Sequence, residues 1–525
     1  MKASRIKSWC LSFLAAWPIV LGGCTSEQEY AREVTLSREA AYRQWETRKT
    51  REESQQPYIS GELSVQDCVK LTLLHNKTLQ QTLEQREIAR GQQLSARSAY
   101  LPNVSLSGEY RRIDEVTSFE IPGPGGITEQ VQIGNIENYA AVLSVSQPIY
   151  AGGAIQSQVQ AARLFSLQTD ELIRGATQEA VFQAEMAYYD LLLNQHLVEI
   201  ATDAARSAQA NLDDVEKRRA GGVVADFDVL QAQVELSNRE ADLSKAANAI
   251  DIARANLIRI MGVAQGSDFV LSEQFTFVPT EISMEQAVET ALKNRPDLYR
   301  QEFEIRRQKE LLQIARSRYL PTISGFFDNT WAKPDPKSFA TTEIEWGDTW
   351  VTGIRGQWSI FDGFQREGEI IQLRAQLRQA QIGLIDTEEM AIYELTQALL
   401  TMENAAEFVV SQRLNLTRAT EQLRLAEVGY AQGVRTAFEL IETRRGVTEA
   451  RVNYFQAIHA HVVAKLAILR AMGTITAEIG GNLPPAEPVI EAVPSIVPPV
   501  PGPAEVNPAV QPPAVVIPPV EVEEK

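Results

Sequence analysis

Cys24 is the residue of this 525-residue chain whose surroundings most clearly indicate a chemical reaction. It directly follows Leu21, Gly22 and Gly23, and a cationic stretch and an apolar run that begins at Trp9 come before them. This order is typical of an export signal that is cut just before a cysteine whose thiol then carries lipid. The alternative is an ordinary signal peptide with a chance cysteine. An acyl group such as palmitate on Cys24 would tether the mature protein to a bilayer.

The other reactive side chains do not form a catalytic or metal-binding motif. His459 and His461 lie two residues apart, so on a helix they point in different directions. His461 falls on an apolar seam, where a core histidine is favoured over a metal ligand. Cys68 remains alone once Cys10 leaves with the signal, so no disulfide can form and burial as a small apolar residue is expected. We therefore expect no enzyme, no metal site and no cofactor besides the lipid.

The net charge and the lack of a phosphate-binding loop argue against two further classes of protein. The net charge of −18 argues against a protein that binds nucleic acid through a basic surface. The glycine-rich PGPGG stretch lacks the lysine and the following helix of a phosphate-binding loop. Energy for any transport would have to come from a partner.

The chain consists of two copies of one unit. The segment from Ser64, which begins SVQDCVKLTLLHNKTLQ, aligns without gaps on the segment from Ser283, 219 residues later. The glycine turn AGGVVADFD recurs as AQGVRTAFE at an offset of 211 residues, and so does a Met-Gly pair. A duplication of this length predicts two similar structural repeats.

The duplication divides the chain into five segments. Residues 1–23 are the expected signal peptide, and the last segment is rich in proline, which predicts an extended tail. The segments are the signal peptide (1–23), an N-terminal lipid-anchored segment (24–62), a first repeat (63–272), a second repeat (282–473) and the Pro-rich tail (474–525).

The hydrophobic periodicity changes in the same order within each repeat. A short helix from Ser64 to about Asn76 and a longer one that ends near Tyr100 come first, and a Leu-Pro pair stops the second. NVSLSGEY then alternates with a period of two, and YAAVLSVSQPIY supplies a returning strand. The pattern predicts β-hairpins over about 102–148 and, in the second repeat, about 321–360.

A long helical hairpin completes each repeat. No helix breaker occurs from about Ala154 to Arg219, which predicts a helix about 100 Å long at about 1.5 Å per residue. After the glycine turn, apolar residues recur seven apart, as in a coiled-coil seam. The two seams comprise Val229, Leu236, Leu243, Ile250 and Leu257, and Leu440, Val447, Tyr454, His461 and Ile468.

Four strands cannot by themselves form a pore in a bilayer, where unpaired sheet edges are not tolerated. Three copies of the chain would supply twelve strands, an even number suited to a closed membrane barrel. Aromatic residues near the strand ends could anchor it at the interfaces, although such residues favour strands anywhere. We expect a mainly α protein with a membrane β-barrel portion, internally duplicated, whose trimeric 12-stranded β-barrel continues into a long α-helical barrel.

The ordered duplication resembles the TolC-like outer membrane efflux proteins, particularly the lipid-anchored outer membrane factors of multidrug pumps. The resemblance covers about Ser64 to Gly473, and rests on the repeated element order, the YLP and IYAGG or IFDGF junctions and the two glycine turns. It implies a passive homotrimeric duct in the outer membrane, part of a tripartite efflux or type I secretion system. Such ducts receive drugs, metal ions or polypeptides from an inner-membrane pump through a periplasmic adaptor.

The resemblance also implies which residues dock the adaptor at the periplasmic end. Gly222 and Gly433 would allow the chain to turn at two tips. Val223, Val224 and Val434 would offer small apolar contacts there. A plain helical hairpin, in which glycine is equally natural, is the alternative.

A gate and an acidic ring are implied in the same way. In the family, an aspartate after the first tip is bridged by a tyrosine and an arginine at the second, and Asp228, Tyr430 and Arg435 stand in these places. Exposed charges at a solvated helix end are the alternative. Glu439 and Glu442 would form acidic rings that favour cations in the pore.

A lipid-anchored periplasmic adaptor or a structural coiled-coil protein is the competing class, because both also have long helices. An adaptor carries compact domains of many short strands. This sequence has two isolated strand pairs joined directly to long helices, which favours the duct.

Overall fold

The computed structural model describes residues 27–43, 45–47, 57–122, 128–133, 135–280, 282–337 and 345–476. The expected signal peptide, Cys24 and the Pro-rich tail beyond residue 476 lie outside the described residues. Among the described helices, none contains a stretch long and apolar enough to cross a lipid bilayer.

The elements of the first repeat follow a helix in the N-terminal segment, α1 (Glu27–Glu39). In chain order they are β1 (Ser60–Leu63), α2 (Val65–His75), α3 (Lys77–Ser98), β2 (Asn103–Arg112), β3 (Thr117–Pro122), β4 (Thr128–Ile133), β5 (Glu137–Ala151), α4 (Ala154–Ala220), α5 (Asp226–Met261) and β6 (Asp268–Leu271). The second repeat comprises α6 (Met284–Asn294), α7 (Pro296–Ser317), β7 (Thr322–Lys333), β8 (Gly347–Gln357), α8 (Gln365–Ala431) and α9 (Ala437–Ala471). The helix predicted from about Ala154 to Arg219 is confirmed.

Helix caps set the boundaries of the short helices. The Ser64 hydroxyl accepts a hydrogen bond from the Asp67 amide (3.1 Å) at the start of α2. The Asn76 side chain accepts one from the Leu79 amide (2.9 Å), so one residue ends α2 and caps α3. In the second repeat Ser283 caps α6 in the same way. Such caps satisfy backbone amides that have no partner inside a helix.

The four long strands form one antiparallel sheet in the order β2-β5-β7-β8. Strand β5 pairs with β7 and thereby joins the hairpins of the two repeats, with an irregularity between Pro148 and Tyr150. Proline has no amide to donate, which accounts for a break in the ladder there. Strands β2 and β8 are the two edges, and all ten residues of β2 are exposed.

Two small strand pairs were not predicted from the sequence. Strands β3 and β4 form an antiparallel ribbon within the first hairpin, on either side of the PGPGG stretch. Residues 123–127 between these strands lie outside the described residues. Strands β1 and β6 pair in parallel although they lie more than 200 residues apart, with Ser60 opposite Asp268.

Helix α4 packs against α7 and α9, and together with the pairing of β5 with β7 these contacts hold the two repeats together. Helices α4 and α9 run antiparallel, and in the described part of the chain each acid–base pair between them has its acid on α4 and its base on α9. The pairs are Glu179–Arg470 (3.0 Å), Asp190–His459 (2.7 Å) and Asp203–Arg451 (3.2 Å). These partly exposed pairs accompany one axial register of the two long hairpins.

The strands β1 and β6 and the helix α2 lie around the middle of α4, and we call them the collar. The buried Tyr188 hydroxyl donates a hydrogen bond to the Leu63 carbonyl (2.9 Å) and also contacts the Glu273 carboxylate. The other Glu273 oxygen accepts from the Val65 amide (3.0 Å) at the start of α2. Burial raises the pKa of Tyr188, so its hydroxyl stays protonated as a donor. Cys68 is fully buried beside α4, as predicted, and burial raises the pKa of its thiol to about 12.

The Met-Gly pair of the first repeat ends the helix α5 against this collar. Gly262 has a positive φ of 70°, and a methyl group on it would overlap the carbonyl of His75 in α2. Gly473 holds the equivalent position in the second repeat. The repeated Met-Gly pair therefore marks a place where one backbone closely approaches another.

We expect Gly262→Ala to destabilise the protein far more than Gly222→Ala. Both glycines have nearly the same φ (70° and 73°), but nothing lies within 4 Å of a methyl group placed on Gly222. The control should cost about 1 kcal/mol of conformational strain, and Gly262→Ala about 2 kcal/mol more from the overlap. Thermal unfolding followed by circular dichroism in detergent measures both. Equal shifts would mean that the collar yields to the added methyl group.

The seam of α9 buries His461, which is 3% exposed and packs edge-on against Phe277 with 4.8 Å between ring centroids. Its Nε2 atom is buried without a hydrogen-bond partner. The prediction of a core histidine is confirmed, but its hydrogen bonding is not fully satisfied. Burial, with the Lys465 charge nearby, lowers the pKa of His461.

The lowered pKa predicts a loss of stability in mild acid. The unfolded chain binds a proton at His461 more readily than the folded chain does. The contribution of neutral His461 to the free energy of unfolding is therefore complete above about pH 6.5 and is lost as the pH drops below that value. Replacement by leucine should reduce the loss of melting temperature between pH 7.5 and pH 5.5. His75→Gln, outside the seam, serves as the control, and an unchanged pH dependence in His461→Leu would contradict the assignment.

Candidate functional site

The two glycine turns form matching tips between the long helices. Gly222 and Gly433 both have φ near 73°, a left-handed conformation that suits glycine. In each turn the next residue donates its amide back to the helix, from Val223 to the Arg218 carbonyl (3.0 Å) and from Val434 to the Gly429 carbonyl (2.9 Å). The repeated sequence therefore encodes one helix-ending turn, used twice.

The tips expose apolar side chains, although not all of those predicted. Val223 is 75% and Val434 79% exposed. Val224 instead packs partly against the first hairpin's own cluster of Leu212, Val215, Val229 and Ala232. Sequence reasoning missed Phe227 and Phe438, which are exposed at equivalent positions of the two tips. The alignment of the two turns was the signal that could have found them.

Asp228 and Glu439 are equivalent residues of the two repeats, 211 positions apart, and the structure gives them the same local contact. The Asp228 carboxylate accepts a hydrogen bond from the Ala225 amide (3.2 Å). The Glu439 carboxylate accepts one from the Thr436 amide (2.9 Å), and the Thr436 hydroxyl accepts from the Glu439 amide (3.2 Å). Both acids thus stabilise the first turn of the helix that follows each tip.

The structure places Tyr430 and Arg435 at the second tip, on either side of Gly433. The Tyr430 ring faces the Arg218 guanidinium at the end of α4, with 4.8 Å from its carbon to the ring centroid. Arg435 donates its amide to the Gly429 carbonyl (3.2 Å). Among the described residues, Asp228 forms no hydrogen bond or ion pair with Tyr430 or Arg435. A gate through Asp228 therefore needs a rearrangement of the tips or a neighbouring copy of the chain.

Glu442 lies one helical turn beyond Glu439 on α9. It pairs with Arg445 (3.2 Å), and its side chain is 46% exposed. A surface pair of this kind contributes little to stability, so the carboxylate stays accessible to solvent and ions. Within the described part of the chain, no group of three or more His, Cys, Asp or Glu side chains could hold a metal ion.

The chain thus combines two long antiparallel helical hairpins with one open four-stranded sheet. A family model described as outer membrane efflux protein matches residues 68–263 and 287–474. The chain therefore belongs to the outer membrane efflux protein family, and the resemblance inferred from the sequence is confirmed. Its place is the outer membrane, where it acts in efflux.

Individual relatives agree with the family. The outer membrane efflux protein BepC of Brucella suis is 23% identical over 391 residues, which cover 73% of this chain and 79% of BepC. The outer membrane protein TolC of Vibrio cholerae is 21% identical over 403 residues, 75% of this chain and 86% of TolC. The crystal structure of the CmeC outer membrane channel of Campylobacter jejuni shares the fold with a TM-score of 0.66 and 17% identity, covering 78% of this chain and 85% of CmeC.

We expect Asp228→Ala to speed hydrogen exchange of the Ala225 amide, because the substitution removes the acceptor of that amide. Asp228→Asn keeps an oxygen acceptor and should preserve most of the protection. Exchange measured by mass spectrometry on peptides that span the first tip tests this, with peptides from the second tip as an internal control. Faster exchange of equal size in both variants would show that the charge, and not the hydrogen bond, stabilises this turn.

Proposed function

We propose that three copies of this chain form a passive efflux duct through the outer membrane, closed at its tips and docked there to a periplasmic adaptor. The observation that carries the proposal is the set of open edges in the single chain. The sheet ends in β2 and β8, and the outer side of each edge strand pairs with no other described strand. In a bilayer such edges must pair, so β2 of one copy would pair with β8 of the next.

Two of the long helices expose apolar faces, which correspond to the unpaired edges of the sheet. Helix α8 exposes large apolar side chains along most of its length, far more than an isolated water-facing helix tolerates. They include Ile371, Ile382, Ile385, Met390, Tyr393, Leu400, Val410, Leu414, Leu425 and Val428. Helix α5 exposes Leu230, Val234 and Ile252. Packing of α5 from one copy against α8 of the next would cover both surfaces and close a helical barrel below a twelve-stranded β-barrel.

Aromatic side chains at both ends of the sheet support its place in a membrane. At one end the Tyr139 ring packs in a tilted arrangement against Tyr110 and Trp346, with centroid distances of 5.0 and 6.4 Å. At the other end Trp358, Ile360 and Phe361 are each at least 60% exposed. Aromatic residues favour the interfaces of a bilayer. Lipid on Cys24 would give each copy a second attachment to the same membrane.

The tips would serve as gate and docking site. Val223 and Val434, with Phe227 and Phe438 beside them, supply an apolar surface for the adaptor. Asp228, Tyr430 and Arg435 would hold the tips closed across neighbouring helices until the adaptor offers better contacts. An inner-membrane pump would supply both the substrate and the energy.

The decisive experiment combines native mass measurement with planar bilayer recordings on the full-length protein in detergent. A trimer with low basal conductance is expected. The double substitution Asp228→Ala, Arg435→Ala should raise the conductance, because it removes charged contacts that keep the tips together. A monomer that never conducts in either form would instead support the competing class of adaptor or coiled-coil protein.

The acidic rings predict cation preference. Three copies would bring six carboxylates from Glu439 and Glu442 into the narrow end of the pore, and fixed negative charge favours cations over anions. The double substitution Glu439→Gln, Glu442→Gln should shift the reversal potential in a KCl gradient towards zero. Glu449→Gln, farther from the tip on the same helix, is the control, and an unshifted potential in the ring variant would remove this assignment.

A further inference from the structure

Arg218 joins the two tips within one chain. Its guanidinium covers the ring of Tyr430, with 4.8 Å between the guanidinium carbon and the ring centroid. Its Nε forms an ion pair with the carboxylate of Asp214 one turn earlier on α4 (2.9 Å), so Asp214 lies where it helps to orient the guanidinium towards the ring. The end of α4 in the first repeat thereby holds the end of α8 in the second.

The adjacent arginine has a different partner. Arg219 pairs with Asp226 (2.6 Å) at the start of α5, within its own hairpin, and because both side chains are more than half exposed this pair contributes little to stability. Of two consecutive arginines, one thus makes a weak contact in its own hairpin and the other reaches the second tip. The two side chains offer a matched comparison, because they share charge and length and lie next to each other at the end of α4.

The duplication shows that Arg218 is not needed for the turn itself. The second repeat makes the same turn with Gly429 at the equivalent position. A methyl group on Gly429 would lie 3.1 Å from the Arg435 side chain, so the small residue leaves room for that arginine. The contact of Arg218 with Tyr430 is therefore an asymmetric addition that the geometry of a helical hairpin does not require.

We propose that Arg218 is a positioning residue of the gate, which holds the Tyr430 ring and thereby keeps the second tip closed against the first. The inference rests on the proposed function and adds a residue to its gate. A cation above an aromatic face at a partly exposed site is a weak contact, which an adaptor can displace. The proposed trimer has three such contacts at one opening, so their effects on the ratio of open to closed duct multiply.

The contact uses the ring of Tyr430 and not its hydroxyl. This distinguishes it from a gate that depends on a hydrogen bond between the Tyr430 hydroxyl and Asp228. Tyr430→Phe keeps the aromatic face and should open the duct much less than Tyr430→Ala. Equal opening by the two substitutions would show that the hydroxyl is the essential group and would overturn the role of Arg218.

The test uses planar bilayer recordings of the full-length trimer with Arg218→Ala, Asp214→Asn and the control Arg219→Ala. Arg218→Ala should raise the ratio of open to closed duct about tenfold or more across three copies. Asp214→Asn should raise it in the same direction by less, and Arg219→Ala should conduct like the parent. Combining Arg218→Ala with Tyr430→Ala should open the duct no further than Tyr430→Ala alone. Native mass confirms that each variant is still a trimer.

Three outcomes would overturn the inference. If Arg218→Ala conducts like the parent while Asp228→Ala, Arg435→Ala opens the duct, the gate stands and Arg218 has no part in it. If Arg219→Ala opens the duct as much as Arg218→Ala, loss of positive charge at the tips is the cause and not the ring contact. If no variant conducts, the proposed function fails together with the inference. Should Arg218→Ala not assemble, Asp214→Asn alone decides, because unchanged conductance in that variant contradicts the proposed orientation of Arg218.

Discussion

The packing of α4 against the second repeat, along α7 and along α9, is the contact on which the rest of the structure depends. A helix of 67 residues has no globular core to bury it, so its apolar face must be covered by neighbours at every level. Acid–base pairs with the acid on α4 and the base on α9 recur along the α9 contact in one axial register. That register brings the two tips to the same level, which any joint gate requires.

The duplication explains both the regularity of the protein and its specific chemistry. Equivalent residues such as Asp228 and Glu439 have the same capping contact, because each repeat must restart a helix after the same turn. Function would come from the positions at which the repeats differ. Arg218 faces Gly429 in the alignment and Arg219 faces Tyr430, so the contact of Arg218 with Tyr430 has no counterpart with the two repeats exchanged.

The same acidic side chains cap helices in the single chain and are proposed to act in the gate or the pore. The carboxylates of Asp228 and Glu439 are held by backbone amides in the single chain, and each is also a proposed gate or pore residue. A hydrogen bond from one amide occupies one acceptor site of a carboxylate and leaves the others free, so the two roles are compatible. Local helix capping thus positions a charge near the narrow end of the proposed duct.

The sequence by itself determined the duplication, the long helices, the seams and one long β-hairpin in each repeat, because each depends on the spacing of neighbouring residues along the chain. The helix from Ala154 follows from the absence of a breaker, and the burial of His461 follows from its place in a seven-residue repeat. Only the tertiary structure decided that β1 pairs with β6, that Val224 packs inward and that Arg218 meets Tyr430. These contacts join residues far apart in sequence, and their geometry follows from how whole helices pack, which no local pattern specifies.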